Sequence, residues 1–189
     1  MQTYYYDQAR ELIKDGDIIF FKNKPHLTSK IISAITDSPF SHVAIAFWVT
    51  VDCKNIHKVK RLMIVESTGK TNNRGIINLS NNRIFYMTVV SPPLKWVDIS
   101  EDALDRVGMV PYGWLDGLLI GARSLLYKSV GKEVKTKDAR GEVCSEFVAK
   151  SYKLPKTQIS PHELYDTLIS QYKCEVKFEV IPLPTDITA

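Results

Sequence analysis

The chain has 189 residues, of which 44% are apolar and 24% charged, and it carries a net charge of +4. These values are typical of a folded globular protein, so neither a disordered chain nor a second domain is indicated, and we expect one domain over residues 1–189. The three cysteines do not favour a disulfide framework. An arginine-rich arm or a finger motif is lacking, so nucleic acid is not an expected partner.

Two features bear on location. The N-terminal sequence MQTYYYDQARELIKDGD has no basic segment followed by an apolar one, so no signal peptide is predicted. The longest apolar stretch, residues 115–126, is interrupted by charged residues and glycines and is too short to span a bilayer. We therefore expect a soluble, cytoplasmic protein without stable membrane insertion, and the sequence does not predict its oligomeric state.

The basic residues cluster once, in the segment 128–140. Such a charge run is usually a solvated surface. The alternative is that it attracts an anionic substrate or surface, such as phospholipid or cell-wall polymer. The cluster consists of Lys128, Lys132, Lys135, Lys137 and Arg140.

The first half of the chain favours strands. A short helix is predicted at 7–14 and a buried strand at 17–21, and apolar residues at helical spacing predict a helix over 27–36. Segments rich in β-branched and aromatic residues predict three further strands. Since their connections are short, we expect them to form an antiparallel meander. They lie at residues 41–50, 61–67 and 83–90.

The second half favours helices. Ser160-Pro161-His162-Glu163 has the capping-box pattern with proline at the first helical position, which predicts a helix to about Gln171. Alternation after Cys174 predicts a closing strand to about Leu183. The other predicted helices span residues 100–108, 112–129 and 144–152.

Cys144 is the candidate nucleophile because it begins a predicted helix. The partial positive charge and N–H groups of a helix N-terminus stabilise a thiolate and can also hold an oxyanion. The alternative is an inert buried cysteine, which describes most free cysteines. Cys53 and Cys174 lack such a context and are interpreted as structural or incidental.

His42 is the candidate base for that thiol. It opens an apolar strand, where its ring can face a cleft, although a core histidine is the alternative interpretation. The other histidines have simpler local explanations: a helix start for His26, a solvated loop for His57 and a capped helix for His162.

Glu66 is the candidate for orienting the imidazole. If strands 41–50 and 61–67 pair antiparallel, the start of one lies beside the end of the other, which brings Glu66 near His42. A carboxylate after the apolar run LMIV needs a partner; the alternative is an exposed strand end. Tyr112, after Val110-Pro111, could donate to an oxyanion, but tyrosines in such places usually pack.

Five segments follow one another along the chain: GDIIFF (16–21), TDSPFSHVAIAF (36–47), VEST (65–68), VPYGWLDGL (110–118) and VCSEFVAKSY (143–152). In this order they resemble the permuted NlpC-type, YiiX-like branch of the papain-like cysteine peptidases, and the resemblance covers about residues 16–165. The resemblance implies Cys144 as nucleophile, His42 as base, Glu66 as the orienting acid and an oxyanion contribution from Tyr112.

The implied fold is α+β, circularly permuted and papain-like, with an antiparallel sheet or small open barrel packed against helices. The helices and strands predicted above agree with it. The chain departs from the family at Pro111-Tyr112-Gly113, where the family has Pro-Tyr-Asp, and Asp116 is nearby but displaced. The segment before Cys144 is also longer and more basic than the family leads us to expect.

The implied activity is hydrolysis of an amide in a cell-wall-type peptide or a small amide, without metal or cofactor, and is compatible with a bacterial or phage origin. One alternative is acyl transfer to or hydrolysis of lipids, as in the lecithin–retinol acyltransferase group, although Val143-Cys144-Ser145-Glu146 fits the peptidase branch better. Another is a binding module without catalytic activity, since papain-like folds can keep the cleft and lose the chemistry.

Overall fold

A computed structural model of the chain describes residues 1–22, 39–53, 56–68, 73–82, 85–105, 107 and 143–182. The predicted helices at 27–36 and 112–129 lie outside the described residues. The elements are, in order, β1 (Thr3–Tyr5), α1 (Tyr6–Ala9), a 3-10 turn (Arg10–Leu12), β2 (Ile18–Lys22), β3 (Phe40–Cys53), β4 (Ile56–Thr68), β5 (Asn73–Asn78), a second 3-10 turn (Leu79–Asn82), β6 (Tyr86–Val90), α2 (Trp96–Asp105), α3 (Cys144–Ser151), α4 (Pro161–Ser170) and β7 (Val176–Ile181).

The described strands form one sheet with the order β1-β7-β6-β2-β3-β4-β5. Its neighbouring strands are antiparallel except for β1 and β7, which run parallel. With the helices of the described part, this confirms the predicted α+β class. None of the described helices combines the length and apolar character needed to cross a membrane.

The predicted meander is correct for its first hairpin and wrong beyond it. Strands β3 and β4 pair as expected, from Ile45–Val65 to Cys53–Ile56. Strand β5 then covers residues for which no strand was predicted, and β6 pairs with β2 and β7. The sequence NRGIIN of β5 contains a glycine and two asparagines, which strands disfavour, so its pairing with β4 overrides local preference.

Both faces of the sheet are covered by apolar side chains. Successive residues of a strand point to opposite faces. In β3, Val43 and Ile45 therefore pack in one core cluster, together with Phe147 and Val148 of α3. Ala44 lies in a second cluster with residues near the N-terminus. Helix α3 is thus held against one face of β3.

Two helix starts show what local pattern can predict. Helix α4 begins as the capping box predicts: Glu163 N–H donates to Ser160 Oγ at 3.2 Å, and Ser160 N–H donates to Glu163 Oε2 at 2.8 Å. Helix α2 starts before the predicted Ser100, at Trp96. The Trp96 ring stacks on Phe47 with centroids 5.2 Å apart, a tertiary contact that orders the additional turn.

The Gly16-Asp17 pair builds the turn into β2. Gly16 has φ of +85°, its N–H donates to Ala46 O at 2.8 Å, and its carbonyl accepts the Tyr152 hydroxyl. The buried Asp17 carboxylate accepts from Lys14 N–H at 2.8 Å and Lys177 Nζ at 2.6 Å. These contacts give the Gly-Asp start of the GDIIFF segment a structural role.

Replacing Gly16 with alanine should therefore destabilise the fold. A β-carbon there would lie 3.3 Å from Trp96 Cβ, on a backbone that side chains rarely adopt. We expect a loss of about 1–3 kcal/mol in the free energy of unfolding, measured by urea titration. Lys14→Ala, at an exposed neighbouring position, should change it by less than about 0.5 kcal/mol. Equal stability of the two variants would contradict the strained-turn interpretation.

Candidate active site

Cys144 is the first residue of α3. The preceding residue, Val143, is extended with φ of −85° and ψ of 167°, so the helix begins at the cysteine. The thiol is 4% exposed, and the side chains around it on α3 are buried as well. The predicted placement of Cys144 at a helix N-terminus is therefore observed.

The sheet changes its pairing where α3 begins. The β3–β4 register runs from Cys53–Ile56 to Ile45–Val65. Beyond that point β3 continues to pair with β2 as far as Phe40, and β4 continues with β5 as far as Thr68. Val43 on β3 lies in the same buried cluster as Cys144, and its backbone N–H helps to lower the pKa of the Cys144 thiol.

His42 and Glu66 meet at the same end of the sheet. Extending the β3–β4 register would place Glu66 opposite Ala44, so Glu66 and His42 are diagonal neighbours on one face, within reach of each other. His42 Nε2 lies 2.6 Å from Glu66 Oε2. Both residues are buried, at 8% and 3% exposure. The structure thus brings together the two side chains that antiparallel pairing predicted to be close.

Further contacts fix the position of the His42 ring. Its centroid lies 5.6 Å from that of Phe21 on β2, with the planes inclined by 36°. The neighbouring Ser41 hydroxyl donates to Phe21 O at 3.3 Å. Because Nε2 contacts Glu66, a hydrogen bond between this ring and Cys144 would use Nδ1. That arrangement suits an imidazole that exchanges a proton with sulfur.

The environment of the Cys144 thiol favours the thiolate. Burial alone raises the pKa of the Cys144 thiol. The charge and hydrogen bonding of His42, together with the backbone N–H groups of Val43 and Ser145, outweigh that effect, so the net pKa lies below the ordinary 9.0. The pKa of the Cys174 thiol, by contrast, is raised by burial.

Two neighbours of Cys144, Ser145 and Glu146, hold the start of the helix, a role that the sequence alone did not indicate. Ser145 Oγ donates to Ile159 O at 2.6 Å, and Val143 N–H donates to Glu146 Oε2 at 3.2 Å. Both side chains are buried, at 1% and 3% exposure. Their position next to the candidate nucleophile is the one sequence feature that points to these two residues. The contact of Ser145 with Ile159 depends on the tertiary fold and could not be predicted from the sequence.

Several of the remaining candidates cannot be placed relative to this site. Tyr112, Asp116, His26 and the basic segment 128–140 lie outside the described residues, as do the side chains of Cys53 and His57. His162, on α4, is 42% exposed and lies 3.6 Å from Asp166. Within the described ranges, groups of three or more His, Cys, Asp or Glu side chains suited to hold a metal ion are absent.

Sequence comparison with known proteins gives no match, so the function is inferred from the geometry of the site. No protein-family model matches the chain, and no curated protein is similar enough in sequence to match it.

Proposed function

We propose that the protein is a cysteine hydrolase that cleaves an amide bond, with Cys144 as nucleophile, His42 as base and Glu66 orienting the imidazole. The observation that carries the proposal is the combination of these side chains: a thiol at a helix start whose pKa is lowered by His42, and a carboxylate 2.6 Å from Nε2 of that imidazole. This is the arrangement that activates a cysteine nucleophile.

Each side chain has a role in a two-step reaction. The Cys144 thiolate attacks the carbonyl carbon, and N–H groups at the start of α3 stabilise the oxyanion. Protonated His42 then donates its proton to the departing amine, leaving a thioester on Cys144. Neutral His42 next accepts a proton from water, whose hydroxide attacks the thioester; the acid is released and the Cys144–His42 pair is restored.

The permuted papain-like fold is part of the same proposal. In chain order the base lies on β3, the acid on β4 and the nucleophile at the start of α3. A helix bearing the cysteine and packed on a mainly antiparallel sheet supports this assignment. The substrate class, a cell-wall-type peptide or a small amide, follows from the resemblance, as does a contribution of Tyr112 to the oxyanion site.

The test offers two substrate classes to the whole chain at neutral pH: a series of dipeptide amides and phosphatidylcholine vesicles. We expect amine release from at least one dipeptide amide and, after rapid acid quenching, an acyl group on the Cys144 peptide detected by mass spectrometry. Fatty-acid release without amide cleavage would instead favour the lipid hydrolase. Absence of both products and of the adduct would favour a binding module without catalytic activity.

A further inference from the structure

The residue that follows the nucleophile is anchored outside its own helix. Ser145 Oγ donates to Ile159 O at 2.6 Å, across the gap between α3 and the loop that leads into α4. Both residues are buried, at 1% and 0% exposure. Such a short, dry contact allows little relative movement between the first turn of α3 and that loop.

The backbone N–H of the same serine belongs to the start of α3, next to the nucleophile. The first N–H groups of a helix have no partner within it. In α3 the first bond of the helical pattern is Phe147 N–H to Val143 O, at 2.9 Å. The Ser145 N–H, two residues earlier, belongs to the set of N–H groups whose partial positive charge favours the Cys144 thiolate. The hydroxyl of Ser145 therefore anchors the same residue whose N–H lies at the helix start.

The loop before α4 and α4 itself also support the strand that carries His42. Ile159 directly precedes Ser160, the N-cap of α4. Further along α4, the Tyr165 ring packs on Phe40 with centroids 4.8 Å apart. Phe40 lies on β3 two residues before His42. The segment that receives the Ser145 hydroxyl is therefore continuous with a helix that packs on β3 two residues before His42.

We propose that Ser145 is a positioning residue: its hydroxyl, tied to the Ile159 carbonyl, fixes the first turn of α3 and thereby keeps the N–H groups of the helix start beside the Cys144 sulfur. The inference rests on the proposed function, since it concerns the same thiol. It assigns to Ser145 a share in stabilising the thiolate, beyond its contribution to packing.

Ser151 provides the matched control. It is also 1% exposed and lies on the same helix, where its hydroxyl donates to Phe147 O at 2.9 Å. It stands at the opposite end of α3 from the sulfur. A purely structural role for Ser145 predicts that Ser145→Ala and Ser151→Ala behave alike.

The experiment measures the rate of iodoacetamide alkylation of Cys144 against pH, with the modified peptides quantified by mass spectrometry. The whole chain should alkylate at Cys144 much faster than at Cys174 at pH 6.5, because the Cys144 pKa is lowered and that of Cys174 is raised. For Ser145→Ala we expect the midpoint of the profile to move up by about one pH unit, as loss of one hydrogen bond to a charged group implies.

Ser151→Ala should lower the melting temperature and leave the midpoint in place. An unmoved midpoint in Ser145→Ala, or an equal shift in both variants, would overturn the inference and leave the proposed function intact. A wild-type Cys144 that reacts no faster than Cys174 would instead count against the proposed function.

Two measurements keep the inference testable if Ser145→Ala does not fold. Ser145→Thr keeps the hydroxyl, so its midpoint should match the wild type even at a lower melting temperature. In the unaltered protein, the Ser145 amide resonance should titrate with the Cys144 thiolate, while the Ser151 amide should not. An amide of Ser145 that is insensitive to that titration contradicts the inference.

Discussion

Replacing Cys144 with alanine should lower the rate of amide hydrolysis by about 10⁴-fold or more, because a catalytic unit that loses its nucleophile retains only binding and oxyanion stabilisation. Alanine at this buried position removes one sulfur atom and keeps the backbone N–H groups at the start of α3. The variant should therefore still bind substrate with a similar dissociation constant. Steady-state kinetics on a cleaved dipeptide amide, with calorimetric binding of the same compound, measures both quantities.

Cys174→Ala is the control for this variant. Cys174 is likewise buried, at 8% exposure, but its thiol pKa is raised by burial and it lies before β7. We expect its rate to stay within about twofold of the wild type, as for a substitution outside a catalytic unit. Residual hydrolysis by Cys144→Ala at the wild-type rate, after repurification, would assign the activity to another group and end the cysteine hydrolase proposal.

The contact between His42 and Glu66 could be predicted because it follows from strand geometry. The sequence marks both strands by their β-branched and aromatic residues, and antiparallel pairing brings the start of one beside the end of the other. Each residue also lies an even number of positions from core residues of the same face, as the register shows. Two local patterns and one geometric rule were sufficient.

The contacts that depend on distant segments could not be predicted in the same way. Strand β5 and the placement of β6 between β2 and β7 are set by pairing, which the local composition of NRGIIN does not reveal. The same holds for Ser145, whose anchor on Ile159 joins two elements that meet through packing. Helix α4, by contrast, carries its start signal in its own four residues, Ser160 to Glu163.

Because the Glu66–His42 ion pair is buried, the Glu66 carboxylate acts strongly on the imidazole. A carboxylate at 3% exposure has lost most of its hydration and is stabilised mainly by its partners. The 2.6 Å contact with His42 therefore favours the protonated imidazole, whose charge in turn lowers the pKa of the Cys144 thiol. The acid on β4 and the sulfur on α3 are thus electrostatically linked through one ring.

Glu66→Gln tests that link, because it keeps the size of the side chain and an oxygen that can accept from Nε2 but removes the charge. A neutral amide stabilises the imidazolium less, so the thiolate–imidazolium pair becomes less populated. We expect the rate of amide hydrolysis to fall by about 10²-fold or more. The midpoint of the Cys144 alkylation profile should move to higher pH, since the charge that holds the pKa of the thiol below 9.0 is weakened.

Glu179→Gln is the matched control, because it removes a carboxylate that also pairs with a cation, Lys22, on the same sheet. Its strand, β7, is separated from β3 by β6 and β2 in the sheet. It should leave both the rate and the midpoint close to the wild type. If Glu66→Gln also retained them while remaining folded by circular dichroism, the short contact on His42 would be structural, and Cys144 and His42 would act as a pair without the acid.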